Sequence, residues 1–321
     1  MMLKNVVFTA GVFISFIVVC VPASLISCEA TTVKSCASGP VTHAPIRINS
    51  DADFVVGSNG VVSGTGTVAD PFIIENWNIS ANGTTPVIIG NTSVHFILRN
   101  CKMVGDVMTP SADFAVYLIN VQNGSLENNL IALSGCGIYA ENCRSIRIHE
   151  NAINLNLKSG VYAYDSEYIT FTNNTLYGNS GPAISLTSCR FCRAYYNEFI
   201  ANSGGSPPGT KQASDDSTDN IWNASDKGNY WNDWTVPDAD GDGIVDVPYI
   251  LDGGTIAKDH LPIAAPYSVS EHNFIPIFIL FVSAILVCAL MGMHQNAVKN
   301  TVKNKIHYAS RKNKPRNKKT S

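Results

Sequence analysis

The chain has 321 residues, of which 15% are charged and 45% hydrophobic, against about 25% charged in an ordinary globular chain. It holds 31 Asn and only 16 Leu; Leu favours helices and Asn does not, so a helical bundle or coiled coil is excluded, and the apolar fraction excludes a disordered chain. The net charge of −3 hides a split: residues 294–321 carry nine basic residues and no acid, whereas residues 31–273 carry 12 basic and 24 acidic ones, which points to parts lying in different compartments.

Residues 1–30 read as a secretory signal, with Lys4 before the apolar run 6–21 and small residues at Cys28 and Ala30. Two other readings fit the same residues. Leu25-Ile26-Ser27-Cys28 has the form of a lipoprotein cleavage site, which would leave Cys28 lipidated, and an uncleaved N-terminal anchor is the third. A linker is expected over residues 31–45.

From residue 46 a repeat emerges. Asn76, Asn100, Asn129, Asn151, Asn174 and Asn197 recur at steps of 24, 29, 22, 23 and 23, the step of 29 holding an insertion around residues 105–113. Apolar residues keep the phase: Ile73, Ile97, Leu126, Ile148, Phe171 and Ala194 stand three places before each Asn. Val116, Ile138 and Val161 form a further column. Within each unit apolar and polar residues alternate, as in Ile146-Arg147-Ile148-His149, the pattern of a strand with one buried face. Short strands at a fixed period with no 3.6-residue runs predict an all-β solenoid: a parallel β-helix of about six coils over residues 46–202. Coils stack ~4.8 Å apart, so Asn100, Asn129, Asn151, Asn174 and Asn197 are expected to form a hydrogen-bonded ladder. Tyr117, Tyr139 and Tyr162 follow the Val/Ile column by one residue and should stack on the outside. They either cover the sheet or offer a platform to sugar rings.

Cys36, Cys101, Cys136, Cys143, Cys189 and Cys192 lie in the exported part, a setting that invites disulfides. Cys143 and Cys189 are two coils apart, ~9.6 Å, beyond the ~7 Å reach of a disulfide. Cys192 stands in an apolar column, and Cys189-x-x-Cys192 has no second CxxC to complete a zinc site. Mostly free, buried thiols are predicted, with a Cys136–Cys143 bridge left open.

Residues 203–265 read as a loop followed by a cap. Residues 203–219 are rich in Gly, Pro and Ser; Trp222, Tyr230, Trp231 and Trp234 supply an aromatic cover that the last coil of a solenoid needs. Asp238, Asp240, Asp242 and Asp246, with Gly243 at the sixth place, match the spacing of a calcium loop. The twelfth place is Tyr249, not Glu, so Asp252 or Asp259 would have to add an oxygen; a structural Ca²⁺ site and a solvated Asp-Gly turn both fit. After a linker at 266–273, residues 274–293 are 20 uncharged residues, long enough to span ~30 Å of hydrocarbon. The basic tail at 294–321 is then cytoplasmic and residues 31–273 are outside the cell membrane. That placement makes Asn78, Asn82, Asn91, Asn123, Asn173 and Asn223, each opening an N-x-S/T triplet, candidates for glycosylation.

Gly228-Asn229-Tyr230-Trp231, residues 238–246, Pro248-Tyr249 and Asp259-His260-Leu261-Pro262, together with Asp51-Ala52-Asp53-Phe54, Gly64-Thr65-Gly66-Thr67 and residues 70–75, resemble the two ends of NosD-type right-handed β-helix proteins. The likeness covers residues 46–265 and implies a right-handed coil. The family name implies maturation of a copper site, but His43, His95, His149, His260 and His272 form no clustered motif of copper ligands. The chain is more similar to NosD-like domains of archaeal surface proteins that carry a signal and a C-terminal anchor.

No catalytic constellation stands out. Arg147 and His149 point outward on one strand, with Glu127 or Glu150 near them by register, and Asp215-Asp216 is an acidic doublet in the loop. The sequence therefore predicts a non-enzymatic, membrane-anchored surface β-helix acting in the envelope, in adhesion or in glycan binding. Its expected partners are the membrane and surface glycans or envelope proteins. Neither an organic cofactor nor nucleic acid is expected. The alternatives are a polysaccharide lyase, hydrolase or epimerase, and a copper-site maturation factor.

Overall fold

The computed structural model describes residues 41–80, 83–105, 113–204, 209–254 and 257–266. The expected signal, the span at 274–293 and the basic tail lie outside the described residues, as do Cys28, Cys36, Asn82 and most of the 105–113 insertion. Among the described residues no helix is long and apolar enough to cross a membrane.

One turn of the chain shows the construction. Gly124–Glu127, Leu130–Ala132 and Cys136–Glu141 are three short strands on three faces; Arg147–His149, Ala152–Asn154 and Val161–Tyr164 repeat them one coil on. Each strand pairs in parallel with its counterparts in the coils before and after. The result is a parallel β-helix of three sheets, called first, second and third in that order.

The apolar alternation dictates what points inward. The first sheet stacks Ile74, Leu98, Leu126, Ile148, Phe171 and Ala194. The second stacks Ile79, Met103, Ile131, Ile153, Leu176 and Phe199. In the third, Val116, Ile138, Val161 and Ile184 align. All are buried, each side chain contributing about 1.5–3 kcal/mol when it is Val, Leu, Ile or Phe.

Asn serves two different positions. A buried ladder runs at the bend between the first and second sheets: the N–H and Nδ2 of Asn129 donate to Asn151 Oδ1, those of Asn151 to Asn174 Oδ1, those of Asn174 to Asn197 Oδ1, and those of Asn197 to Asn229 Oδ1, all at 2.9–3.1 Å. Beside it the chain turns through the left-handed region, which costs an L-residue other than Gly roughly 1 kcal/mol and which Asn tolerates best. Asn76, Asn100, Asn128 and Asn173 hold φ of 50–64° there, and Asn91, Asn120 and Asn142 do the same at the bend after the third sheet.

Asn100 therefore belongs to the corner and not to the ladder. Cys101 fills the ladder position of its coil and donates its N–H to Asn129 Oδ1. The phase of the first two coils shifts by one with it, so that Ile74 and Leu98 face the core while Ile73 and Ile97 are half-buried on the outer side. A second ladder, unforeseen in the sequence, joins Ser134, Asn156, Asn179, Asn202 and Gln212 between the second and third sheets.

The solenoid is longer than the Asn period shows. Val41–His43 already pairs with Trp77–Ser80 inside the expected linker. Beyond residue 202, Ala213–Asp215 and Tyr230–Trp231 extend the third and second sheets. The core column ends in stacked rings, Phe199 on Trp231 at 4.2 Å and Trp231 on Tyr249 at 4.0 Å, which cover the last coil.

Candidate functional site

The third sheet brings the three predicted tyrosines into one file. Tyr117 pairs with Tyr139 and Tyr139 with Tyr162, their ring centroids 5.4 Å apart at each step. The alternating partners Val116, Ile138 and Val161 are fully buried, so the rings stand half-exposed on the outer face. Phe114 leans on both Tyr117 and Tyr139. The Tyr117 hydroxyl donates to Glu141 at 3.0 Å; partial burial first, and that bond second, push its ionisation up to about 12. The file is thus an aromatic strip in which Tyr139 and Tyr162 stack while Tyr117 meets Tyr139 edge-on.

The outer row of the first sheet is polar. Arg99 pairs with Glu75 at 2.7 Å and Arg147 with Glu127 at 2.7 Å. His149 Nε2 lies 3.0 Å from Glu150, and its Nδ1 lies 2.8 Å from Thr172 Oγ1. The structure so brings Arg147, Glu127, His149 and Glu150 onto adjacent coils. Asp215 is not with them: it is buried, pairing with Trp222 Nε1, Asn220 Nδ2 and the Ser217 N–H.

In the acidic loop, carboxylate oxygens of Asp238, Asp240 and Asp242 all come within 4.8 Å of one another. Asp238 also accepts the N–H groups of Gly241 and Gly243, closing the loop. Asp246 caps the Ala239 N–H. The further oxygens sought at Asp252 and Asp259 are engaged elsewhere: Asp252 accepts the Lys211 N–H, and Asp259 is buried in the cap.

That cap explains the Gly228-Asn229-Tyr230-Trp231 and Asp259-His260-Leu261-Pro262 motifs. Asp259 accepts the Asn229 N–H at 2.7 Å, Asn229 Nδ2 at 3.1 Å, Trp231 Nε1 at 3.0 Å and the Leu261 N–H at 3.0 Å. Burial nonetheless pushes its carboxyl up to about 6. Gly228 passes so close that a Cβ would lie 1.9 Å from the Asp259 carboxylate. The N-terminal motif is likewise architectural: Asp51 accepts Thr92 Oγ1 and the Ser93 N–H, and Phe54 stacks on Phe72 at 5.1 Å.

The five described cysteines, Cys101, Cys136, Cys143, Cys189 and Cys192, are free and buried. Desolvation raises the thiols of Cys101 and Cys143 to about 11 and that of Cys136 to about 12. Of the sequon residues, Asn91, Asn123 and Asn223 donate their amides to backbone carbonyls. Asn78 is half-buried and Asn173 is exposed at a corner.

Two solved structures align with part of the chain. The A-module of the mannuronan C-5 epimerase AlgE4 from Azotobacter vinelandii aligns at TM-score 0.37 and 13% identity, over 49% of this chain and 55% of that one. A candidate glycosyl hydrolase from Parabacteroides merdae aligns at TM-score 0.33 and 11% identity, over 47% of this chain and 79% of that one. Likenesses of that extent say nothing of chemistry. No curated protein matches the chain. The family described as right handed beta helix region matches residues 57–221, and the chain belongs to that family.

Proposed function

We propose that this protein is a NosD-like β-helix held at the cell surface by the 274–293 span, and that it binds an extended glycan along its third sheet without transforming it. The observation that carries this reading is the Tyr117–Tyr139–Tyr162 file, which sets aromatic rings 5.4 Å apart along an outward sheet. A sugar chain lying along the solenoid axis meets one ring per coil. Tyr139→Ala in the full-length protein is expected to weaken retention on the glycans it binds about tenfold, or ~1.4 kcal/mol. Affinity electrophoresis checks this, and unchanged retention would sink the reading.

A second reading is a polysaccharide-active enzyme. It is favoured by the Arg147–Glu127 and His149–Glu150 pairs, which set carboxylates and a titratable base on neighbouring coils as acid–base chemistry requires. New reducing ends or unsaturated products from bound glycan would establish it. A copper-maturation role lacks a donor set among the described residues, where the one group of three or more converging ligands is Asp238, Asp240 and Asp242.

Those three carboxylates suit a structural Ca²⁺. Calcium at about a hundred times its dissociation constant is expected to stabilise the fold by ~2.7 kcal/mol. Asp240→Asn should abolish most of that gain. Thermal unfolding with Ca²⁺ and with chelator checks it; equal melting in both refutes the assignment.

A further inference from the structure

A second site lies round the bend from the tyrosine file. Between the third and first sheets a groove of about 320 Å³ runs over four coils. One wall is the corner column Asn120, Asn142, Asp165 and Ser188; the other is Gln122, Arg144, Glu167 and Arg190, which bridge one another in parallel register. Glu167 binds Arg144 on one side and Arg190 on the other. Asn142 donates to Asn120 at 2.8 Å, along the same axis.

The ridge beside this groove is built at a cost. Tyr168 and Phe191 occupy corner positions with φ of 55° and 58°, a region that bulky side chains rarely enter. The same column holds Asn123 and Ser145 in the earlier coils, so small polar residues meet the need of the turn. The aromatic pair is nevertheless 42% and 43% exposed. Its rings stack at 5.1 Å, and the Arg144 guanidinium lies 4.5 Å over Tyr168. Backbone strain of this kind clusters at functional sites, and here it coincides with an exposed aromatic pair.

We infer that this groove binds a second stretch of neutral, hydroxyl-rich sugar chain, with Tyr168 and Phe191 as a stacking ridge beside it; the inference rests on the glycan-binding reading above. Three features select the ligand. Among the planar polar groups, Arg donates, Asp and Glu accept, and Asn and Gln do both, so together they can match neighbouring hydroxyls. They recur at the ~4.8 Å spacing of the coils, which suits a polymer and not a single small molecule. Two arginines are balanced by Glu167 and Asp165, so the groove has no net charge to attract a polyanion.

The test uses the full-length protein in mild detergent with cellohexaose and mannohexaose as neutral probes and hexagalacturonate as the charged one. The double variant Tyr168→Asn/Phe191→Asn installs the residue the corner prefers. It is expected to bind the neutral probe at least tenfold more weakly while melting at the same temperature or higher. A role confined to structure predicts the opposite, lower melting with affinity unchanged. Should the double variant not fold, Arg190→Gln, at an exposed side chain, reads the same groove, with at least a threefold loss expected. Loss in either groove variant, with or without loss in Tyr139→Ala, supports the site. Loss in Tyr139→Ala alone overturns it and leaves the tyrosine file standing. Binding of hexagalacturonate alone overturns the neutral ligand, and no binding of any probe overturns both sites.

Discussion

Asn174→Ala is expected to cost the fold about 3–5 kcal/mol, read by urea denaturation of the full-length protein. The substitution removes the acceptor of the Asn151 N–H and Nδ2 and the donor to the Ile148 carbonyl. All of these groups are buried, and each orphaned one costs about 1–3 kcal/mol. The effect should stand apart from that of its neighbour. Asn173→Ala touches an exposed corner at φ 55° and should cost only about 1 kcal/mol. Equal losses at the two positions would mean that the ladder carries no special share of stability.

Asp259→Ala is the second large effect, again about 3–5 kcal/mol, since it strips the acceptor from four N–H groups and opens a cavity beside Trp231. The same residue gives the fold a pH dependence of unusual sign. Its folded carboxyl titrates at about 6, above the ~3.9 of an unfolded chain, so the folded state binds the proton more tightly. The stabilisation by protonation is fully present below about pH 4 and is lost as the pH rises through 6, an amount of roughly 2–3 kcal/mol. Wild type minus Asp259→Asn, followed by thermal melting from pH 4 to 8, isolates this share. A difference that does not change with pH would refute it.

The architecture was readable in the sequence because one column of the repeat is both chemically distinctive and buried. Asn129, Asn151, Asn174 and Asn197 could not drift without orphaning backbone groups, so their period survives in the chain. The first two coils misled by one residue because Trp77 and Cys101 take the ladder place while Asn76 and Asn100 turn the corner. An Asn at a left-handed bend and an Asn in a ladder are identical in one dimension. The second ladder was hidden for a related reason: Asn156, Asn179 and Asn202 sit among Ser, Gly and Lys, where they resemble loop residues. The candidate site was legible only as far as the tyrosine file, whose spacing follows the coil. The groove of Arg144, Glu167 and Arg190 draws on residues 23 apart that alternate in charge, which no local pattern reveals. The terminal motifs were recognisable as a pair, and only the packing of Gly228 against Asp259 shows that they close the ends.

From rung to rung each ladder amide donates to the next amide toward the C-terminal end, and most also donate back to a backbone carbonyl of the coil before. The first ladder finishes on the Asp259 carboxylate; the second passes from Gln212 Nε2 to Asp233 at 2.7 Å. A third line, from the Cys192 N–H through Asn220, finishes on Asp215. The solenoid is thus a rod with a direction, and three carboxylates quench its donor end. A second molecule arriving head to tail would offer acceptors to N–H groups that these carboxylates already engage. Stacked β-strands carry a standing hazard of open-ended fibre growth, and ending the ladders on carboxylates leaves their last amide donors already occupied at that end.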